Sequence, residues 1–278
     1  MLFRRWPARA SRFLLALPAA AVFAGCAALS SASADAPVAR RVAALLPVDA
    51  LLLGEQHDAP EHQAIERETV EALVARGQLA ALALEMAEEG RSTAQVGTAA
   101  SEAQVQAALD WSDKAWPWRS YGPTVMAAVR AGVPVIGANL PRARMKNAMA
   151  DVSLDAQLNG EAYTVQQDAV REGHCKLLPE SQIIPMTRIQ VGRDRAMAQT
   201  IVKARQPGKT VLLISGAGHA TKLLGVPQHL PTDVSVKALR LQAGGSDEDD
   251  DKAAYDATWR TPALPAVDYC ASVVRRTS

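Results

Sequence analysis

The strongest constraint on this chain is a set of short apolar runs that each end abruptly in glycine, proline or a polar residue. Four of them, at residues 50–53, 81–84, 133–138 and 210–214, are mainly apolar, as strands covered on both faces of a parallel sheet are. A fifth at 234–241 is interrupted by Ser235, Lys237 and Arg240, which reads as an edge strand with one wet face. Helical periodicity alternates with these runs. Ile65, Val70, Leu73 and Val74 stripe the segment 60–76 before Gly77, and 125–131 repeats the pattern before Gly132. Strand, helix, strand at this spacing predicts right-handed crossovers and an α/β fold: an open, mostly parallel sheet flanked by helices.

Residues 141–208 are helical in pattern without a clear strand, which predicts a helical insertion covering the carboxyl edge of the strands. The acidic run Asp247 to Asp251 reads as a solvated loop, and 265–274 as a last strand. At 278 residues and 49% apolar content the chain suffices for one such domain, read here as 41–278. The formal charge of +1 is near neutral, so nothing electrostatic favours a nucleic-acid partner.

The N-terminus reads as an address. Arg4, Arg5, Arg9 and Arg12 precede an apolar run at 13–24 and then Gly25-Cys26, the layout of a secretory signal. The run is too short for the roughly 20 residues that cross a bilayer as a helix. Cysteine directly after Ala-Gly is similar to a bacterial lipobox. This predicts a signal at 1–25, a lipidated Cys26 and a tether over 26–40; a soluble secretory signal cleaved nearer Ala36 is the alternative. If Cys26 carries lipid, Cys175 and Cys270 remain as a pair. In an oxidising compartment they either form a disulfide or stay as two thiols. No C-x-x-C is present.

Ligands of open α/β sheets bind beyond the carboxyl ends of the strands, and the polar residues of this sequence collect there. The first run leads into Gly54-Glu55-Gln56-His57-Asp58, the second into Glu85-Met86, the third into Asn139, and the fourth into Gly216-Ala217-Gly218-His219. Glu55, Glu85, His57 and His219 are therefore expected to converge, although each alone could serve a local cap, Asp58 at the following helix in particular. His62 and His229 read as surface residues. Trp111, Trp116, Trp118 and Tyr121 crowd a segment read as a loop suited to a flat, partly apolar ligand, or to latching that loop onto the sheet.

Taken together, Leu-Leu-Gly-Glu-Gln-His-Asp at 52–58, Leu-Glu-Met at 84–86, the Trp-rich stretch to Tyr121-Gly-Pro, Ala-Asn-Leu-Pro-Arg at 138–142, Arg193-Asp-Arg-Ala-Met-Ala and Gly216-Ala-Gly-His-Ala resemble the ChaN-like haem-binding lipoproteins of the wider Tiki/TraB-like superfamily. The resemblance spans about residues 48–230. It implies non-covalent haem binding in haem or iron acquisition, at the outer membrane and facing the periplasm. The family motifs fall on Glu55, His57, Asp58, Glu85, Asn139, Arg142 and His219. Glu61-His62-Gln63 departs from the paired histidines common in the family.

Given a haem ligand, Tyr121 and Tyr163 are the phenolate candidates for ferric iron. His57 and His219 either ligate iron or hold a tyrosinate by hydrogen bonding. Arg142, Arg144 or Lys146 would meet the propionates. A flat ligand with two exposed faces also suits a homodimer around it. The competing reading is a metal-dependent hydrolase, with His57 and His219 holding a divalent metal beside Glu55 and Glu85; a vestigial scaffold is the third. No H-E-x-x-H, G-x-S-x-G, G-x-G-x-x-G or P-loop occurs, so zincin, serine-hydrolase and nucleotide-cofactor chemistry lack a motif.

Overall fold

The computed structural model describes residues 36–271 except 247 and 249. The leader, Cys26 and most of the tether lie outside the described residues. The tether's expected end at residue 40 falls inside α1 (Val38–Ala43), whose Val38 and Val42 are buried in the core.

The elements then run β1 (Ala50–Glu55), α2 (Pro60–Ala75), β2 (Leu79–Glu88), α3 (Glu102–Leu109), α4 (Trp118–Arg130), β3 (Val135–Asn139), α5 (Arg142–Ala150), α6 (Gly160–Gly173), α7 (Glu180–Ala204), β4 (Thr210–Gly216), α8 (Ala217–Ala220), β5 (Val236–Ala243) and β6 (Ala257–Thr261). The strands form one parallel sheet in the order β3-β2-β4-β1-β5-β6. Side chains alternate across it with a period of two. Leu51, Leu53, Leu82, Leu84, Leu212 and Ile214 pack toward α1, α2 and α4. Ala50, Leu52, Ala83, Val211 and Leu213 face α7 and α8. Burying a leucine of this kind contributes about 1.5–3 kcal/mol, and β1 is buried over its whole length.

Three expectations are corrected here. β5 lies between β1 and β6 rather than at the edge; its polar residues are only half-buried. The last strand is β6, not 265–274: residues 262–268 have no regular structure, 269–271 form a helical turn, and 272–274 lie outside the described residues. β6 leaves little trace in the sequence because Trp259 is its one buried residue. Finally, Trp118 and Tyr121 belong to α4 rather than to a loop. The helix starts behind Pro117, with the Trp118 N–H donating to Asp113 at 2.7 Å. Trp118, Tyr121, Val125 and Val129 are buried at helical spacing.

The insertion is helical as expected, comprising α5, α6 and α7 with a 3₁₀ turn at Val152–Ala156. The end of α7 covers one face of the sheet through Met197, Ala198 and Ile201. Its preceding turns join Leu140, Ala148 and Leu154 in a separate cluster. Cys175, between α6 and α7, is joined by a disulfide to Cys270, with Cα atoms 5.6 Å apart. No helix among the described residues is long and apolar enough to cross a membrane.

Candidate functional site

The strand order decides the site. β2, β4 and β1 are neighbours, and Glu55 sits in register with Gly216, so the ends of three strands meet at one place. Gly54 lets α8 come close there, because a Cβ at that position would lie 2.8 Å from Ala217 Cα. That approach carries His219 over the strand ends.

Glu55, His57, Glu85 and His219 are brought together. The His57 Nδ1–H donates to Glu55 Oε1 at 2.8 Å, and His57 Nε2 faces Glu85 Oε2 at 3.9 Å. His219 Nε2 lies 3.5 Å from Glu85 Oε1. Glu85 also accepts the Gly216 N–H at 2.8 Å. Asp194 of α7 completes the chain by accepting the His219 Nδ1–H at 2.6 Å. Asp194 falls within a family motif, and its one local mark in the sequence is the charged pair Arg193-Asp194 inside a long helix. Asn139 closes the far side, donating from Nδ2 to the Glu85 carbonyl at 2.9 Å.

The charges follow from this packing. Burial alone would push Glu85 up, but His219, His57 and the Gly216 N–H outweigh it and hold the carboxyl at about 2. Burial likewise opposes protonation of His219, yet Glu85 and Asp194 raise it to about 10. The Asp194 carboxyl is raised to about 6, burial prevailing over the imidazole. His57 rises because its bond to Glu55 and the Glu85 charge outweigh burial. Beneath them Glu66 is wholly buried and held well above the usual carboxylate range, first by burial and then by Glu55.

The structure places the tyrosines and Trp118 as follows. Tyr121 reaches the site from below: it is 2% exposed, its hydroxyl donates to Glu55 Oε1 at 2.8 Å, and burial and that carboxylate push its pKa far up. Without a ligand its hydroxyl serves as a hydrogen-bond donor to Glu55. Tyr163 spends its hydroxyl on Asp155 at 2.5 Å within the insertion, and does not line the cavity described below. Trp118 is buried and donates to Glu102 at 2.8 Å. Asp58 does not cap α2, whose N-cap is Ala59; it accepts from the Tyr269 hydroxyl.

His62 is fully buried rather than on the surface. Its Nδ1 accepts the Gln56 N–H at 3.0 Å, leaving Nε2–H to donate to Thr261 at 3.1 Å, and burial lowers its pKa. His229 is half-buried, and burial with the Arg195 charge lowers it to about 4.

A cavity of about 620 Å³ opens beside His57. Trp111 and Trp116 form its aromatic wall, with His57 edge-on to Trp116 at 4.8 Å between centroids. Met86, Met145, Arg142 and Arg193 also line it. The Asn139 Oδ1 and Arg193 Nε atoms are sealed from solvent without a hydrogen-bond partner. Arg144 is instead engaged by Glu89 at 2.9 Å. Among the described residues no group of three or more His, Cys, Asp or Glu side chains is arranged to hold a metal ion.

The family described as haem-binding uptake, Tiki superfamily, ChaN, matches residues 41–230. This chain belongs to that family. A solved structure titled for cofacial haem binding to ChaN of Campylobacter jejuni superimposes with a TM-score of 0.67 at 24% identity, covering 78% of this chain and 89% of that one. The ChaN-family sheet and its flanking helices are thus the same fold. Two further structures are more remote. The RRSP effector domain of a Vibrio vulnificus MARTX toxin gives a TM-score of 0.43 at 15% identity, covering 84% of this chain and 40% of its own. The type III effector HopBA1 gives 0.41 at 16%, covering 83% and 95%. No curated protein matches.

The ChaN-family cavity fits haem in its donor chemistry. It offers an imidazole nitrogen and thioether sulfurs, all recognised axial donors, a flat aromatic wall for a macrocycle, and guanidinium groups for propionates.

Proposed function

We propose that this chain binds haem non-covalently in the cavity beside His57 and serves haem or iron uptake in the bacterial envelope. The observation that carries the reading is His57 itself. It is the one residue of the acid–imidazole cluster with substantial exposure, 39% of its side chain, and it stands between Trp116 and Glu55. Glu55 fixes the ring through Nδ1, and Nε2, which faces Glu85 Oε2 at 3.9 Å without a hydrogen bond, is the atom that would meet a ligand. When bound, haem supplies an iron centre that accepts axial donors and a strongly absorbing macrocycle. Glu85 and protonated His219 supply fixed charge behind His57, and Trp111 and Trp116 exclude water from one face.

The cellular setting belongs to the same proposal. The lipobox-like leader supports a lipid-anchored domain held through Cys26, at the outer membrane and facing the periplasm. Cofacial haem binding, named for the Campylobacter jejuni protein, supports a homodimer closing around the ligand.

Titrating the purified protein with hemin tests the ligand. We expect a Soret band that saturates, weakens in His57→Ala, and is lost on extraction with acidified organic solvent, as non-covalent binding requires. Absence of any Soret change in the wild-type protein would sink the proposal. Sedimentation with and without hemin tests the dimer, and metabolic labelling with palmitate in wild type and Cys26→Ser tests the anchor.

A further inference from the structure

Every carboxylate that lines the cavity, among the described residues, already has a partner. Glu85 is held by two imidazoles and the Gly216 N–H. Glu88 accepts the Arg142 backbone N–H at 3.1 Å. Asp110 pairs with Arg91 at 2.9 Å. The cavity's two guanidinium groups are the opposite case. Neither Arg142 nor Arg193 makes a side-chain hydrogen bond or ion pair with a described residue.

For Arg142, exposed at the start of α5, that is ordinary. For Arg193 it is not. Arg193 is half-buried, and its Nε is sealed without an acceptor. A buried donor left unmade costs about 1–3 kcal/mol. Arg188, equally half-buried on the same helix, shows the usual solution: both arms of its fork engage Asp155 at 2.6 and 2.8 Å. The neighbouring Asp194 feels the Arg193 charge but turns to His219 instead. Successive residues on a helix point about 100° apart, so Asp194 completes the acid–imidazole chain while Arg193 faces the cavity. α5 and α7 pack together, which brings both guanidinium groups to one rim.

We propose that Arg193 and Arg142 form a two-guanidinium clamp that selects a flat ligand carrying two carboxylates on one edge, Arg193 being the discriminating member. This rests on the haem reading for the macrocycle but adds the part of the ligand that is recognised. It makes carboxylates, rather than iron or macrocycle alone, the source of specificity.

The test uses the full chain and three probes: hemin, hemin dimethyl ester and metal-free protoporphyrin IX, followed by Soret absorbance and tryptophan fluorescence. We expect the wild type to bind both free acids at least about tenfold more tightly than the ester, the worth of one charge-assisted bond. Arg193→Gln should weaken both acids by about tenfold and leave the ester unchanged. Arg193→Lys, which keeps the charge but loses the fork, should recover only part. Arg142→Gln should show the same pattern more weakly. The ligand-free melting temperature of Arg193→Gln should not fall, because no protein partner is lost.

Equal losses for acids and ester, or a wild type that does not distinguish them, would overturn the clamp. Arginine-dependent binding of protoporphyrin without hemin binding would overturn the haem reading and leave the clamp standing. Failure of all three probes to bind would overturn both.

Discussion

Asp194 Oδ1 lies 2.6 Å from His219 Nδ1, with Asp194 buried and 13% of the His219 side chain exposed. The pair joins the helical insertion to the end of β4, and through Glu85 and His57 it extends to Glu55 at the end of β1. One continuous acid–imidazole chain thus crosses the carboxyl ends of three adjacent strands.

That chain gives the protein a stability profile with two limbs. Glu85, lowered to about 2 from the ordinary 4.5, contributes stability that is present above pH 4.5 and lost as pH falls toward 2, about 3 kcal/mol in all. His219, raised to about 10 from 6.5, contributes stability that is complete below pH 6.5 and lost as pH rises through 10. Asp194, raised from 3.8 to about 6, works the other way and adds stability as pH falls between those values, so melting temperature should decline below about pH 3.8 and as pH rises from 6.5 through 10. Glu85→Gln should flatten the acid limb and also weaken the alkaline one, because His219 loses its main partner. Unchanged limbs in that variant would contradict the network.

Tyr121→Phe should leave hemin absorbance essentially as in wild type while lowering stability by about 1–3 kcal/mol, the cost of a lost hydrogen bond to a buried carboxylate. The hydroxyl is spent on Glu55 at 2.8 Å and is held protonated. Chemical denaturation and a hemin titration on the same sample separate the two effects. A large Soret change with unaltered stability would restore the phenolate ligand expected from the sequence.

Gly54→Ala places a methyl group 2.8 Å from Ala217 Cα and 2.9 Å from Ala220 Cβ. The first contact is backbone and cannot give way cheaply, so about 1–3 kcal/mol of destabilisation is expected from overpacking. Because α8 carries His219, NMR of the imidazole should report displacement as well. Wild-type stability would show that the β1–α8 approach is looser than described.

The Cys175–Cys270 bridge links residues 95 apart in sequence. By loop-closure entropy its removal should cost about 4–5 kcal/mol. Denaturation of the double Cys→Ser variant measures this, and non-reducing mass spectrometry of protein from an oxidising compartment checks the pairing itself. Two free thiols there would remove the prediction.

The sequence by itself determined the α/β architecture, the positions of the buried strands, and which polar residues stand at their carboxyl ends. These are local properties: apolar runs, period-two burial and a turn residue after each strand leave marks within a few positions of the residue concerned. Glu55, His57, Glu85 and His219 were legible for that reason. Only the tertiary structure decided that β4 inserts between β2 and β1, which is what makes those four side chains neighbours. It also recruited Asp194 and Arg193 from the insertion, sent Tyr121 into the core, buried His62 against Thr261, and placed β5 inside the sheet. Each depends on a partner far away along the chain, as His62 and Thr261 are, 199 residues apart. Burial and hydrogen bonding between such partners are energies of the assembled fold, with no local pattern to announce them.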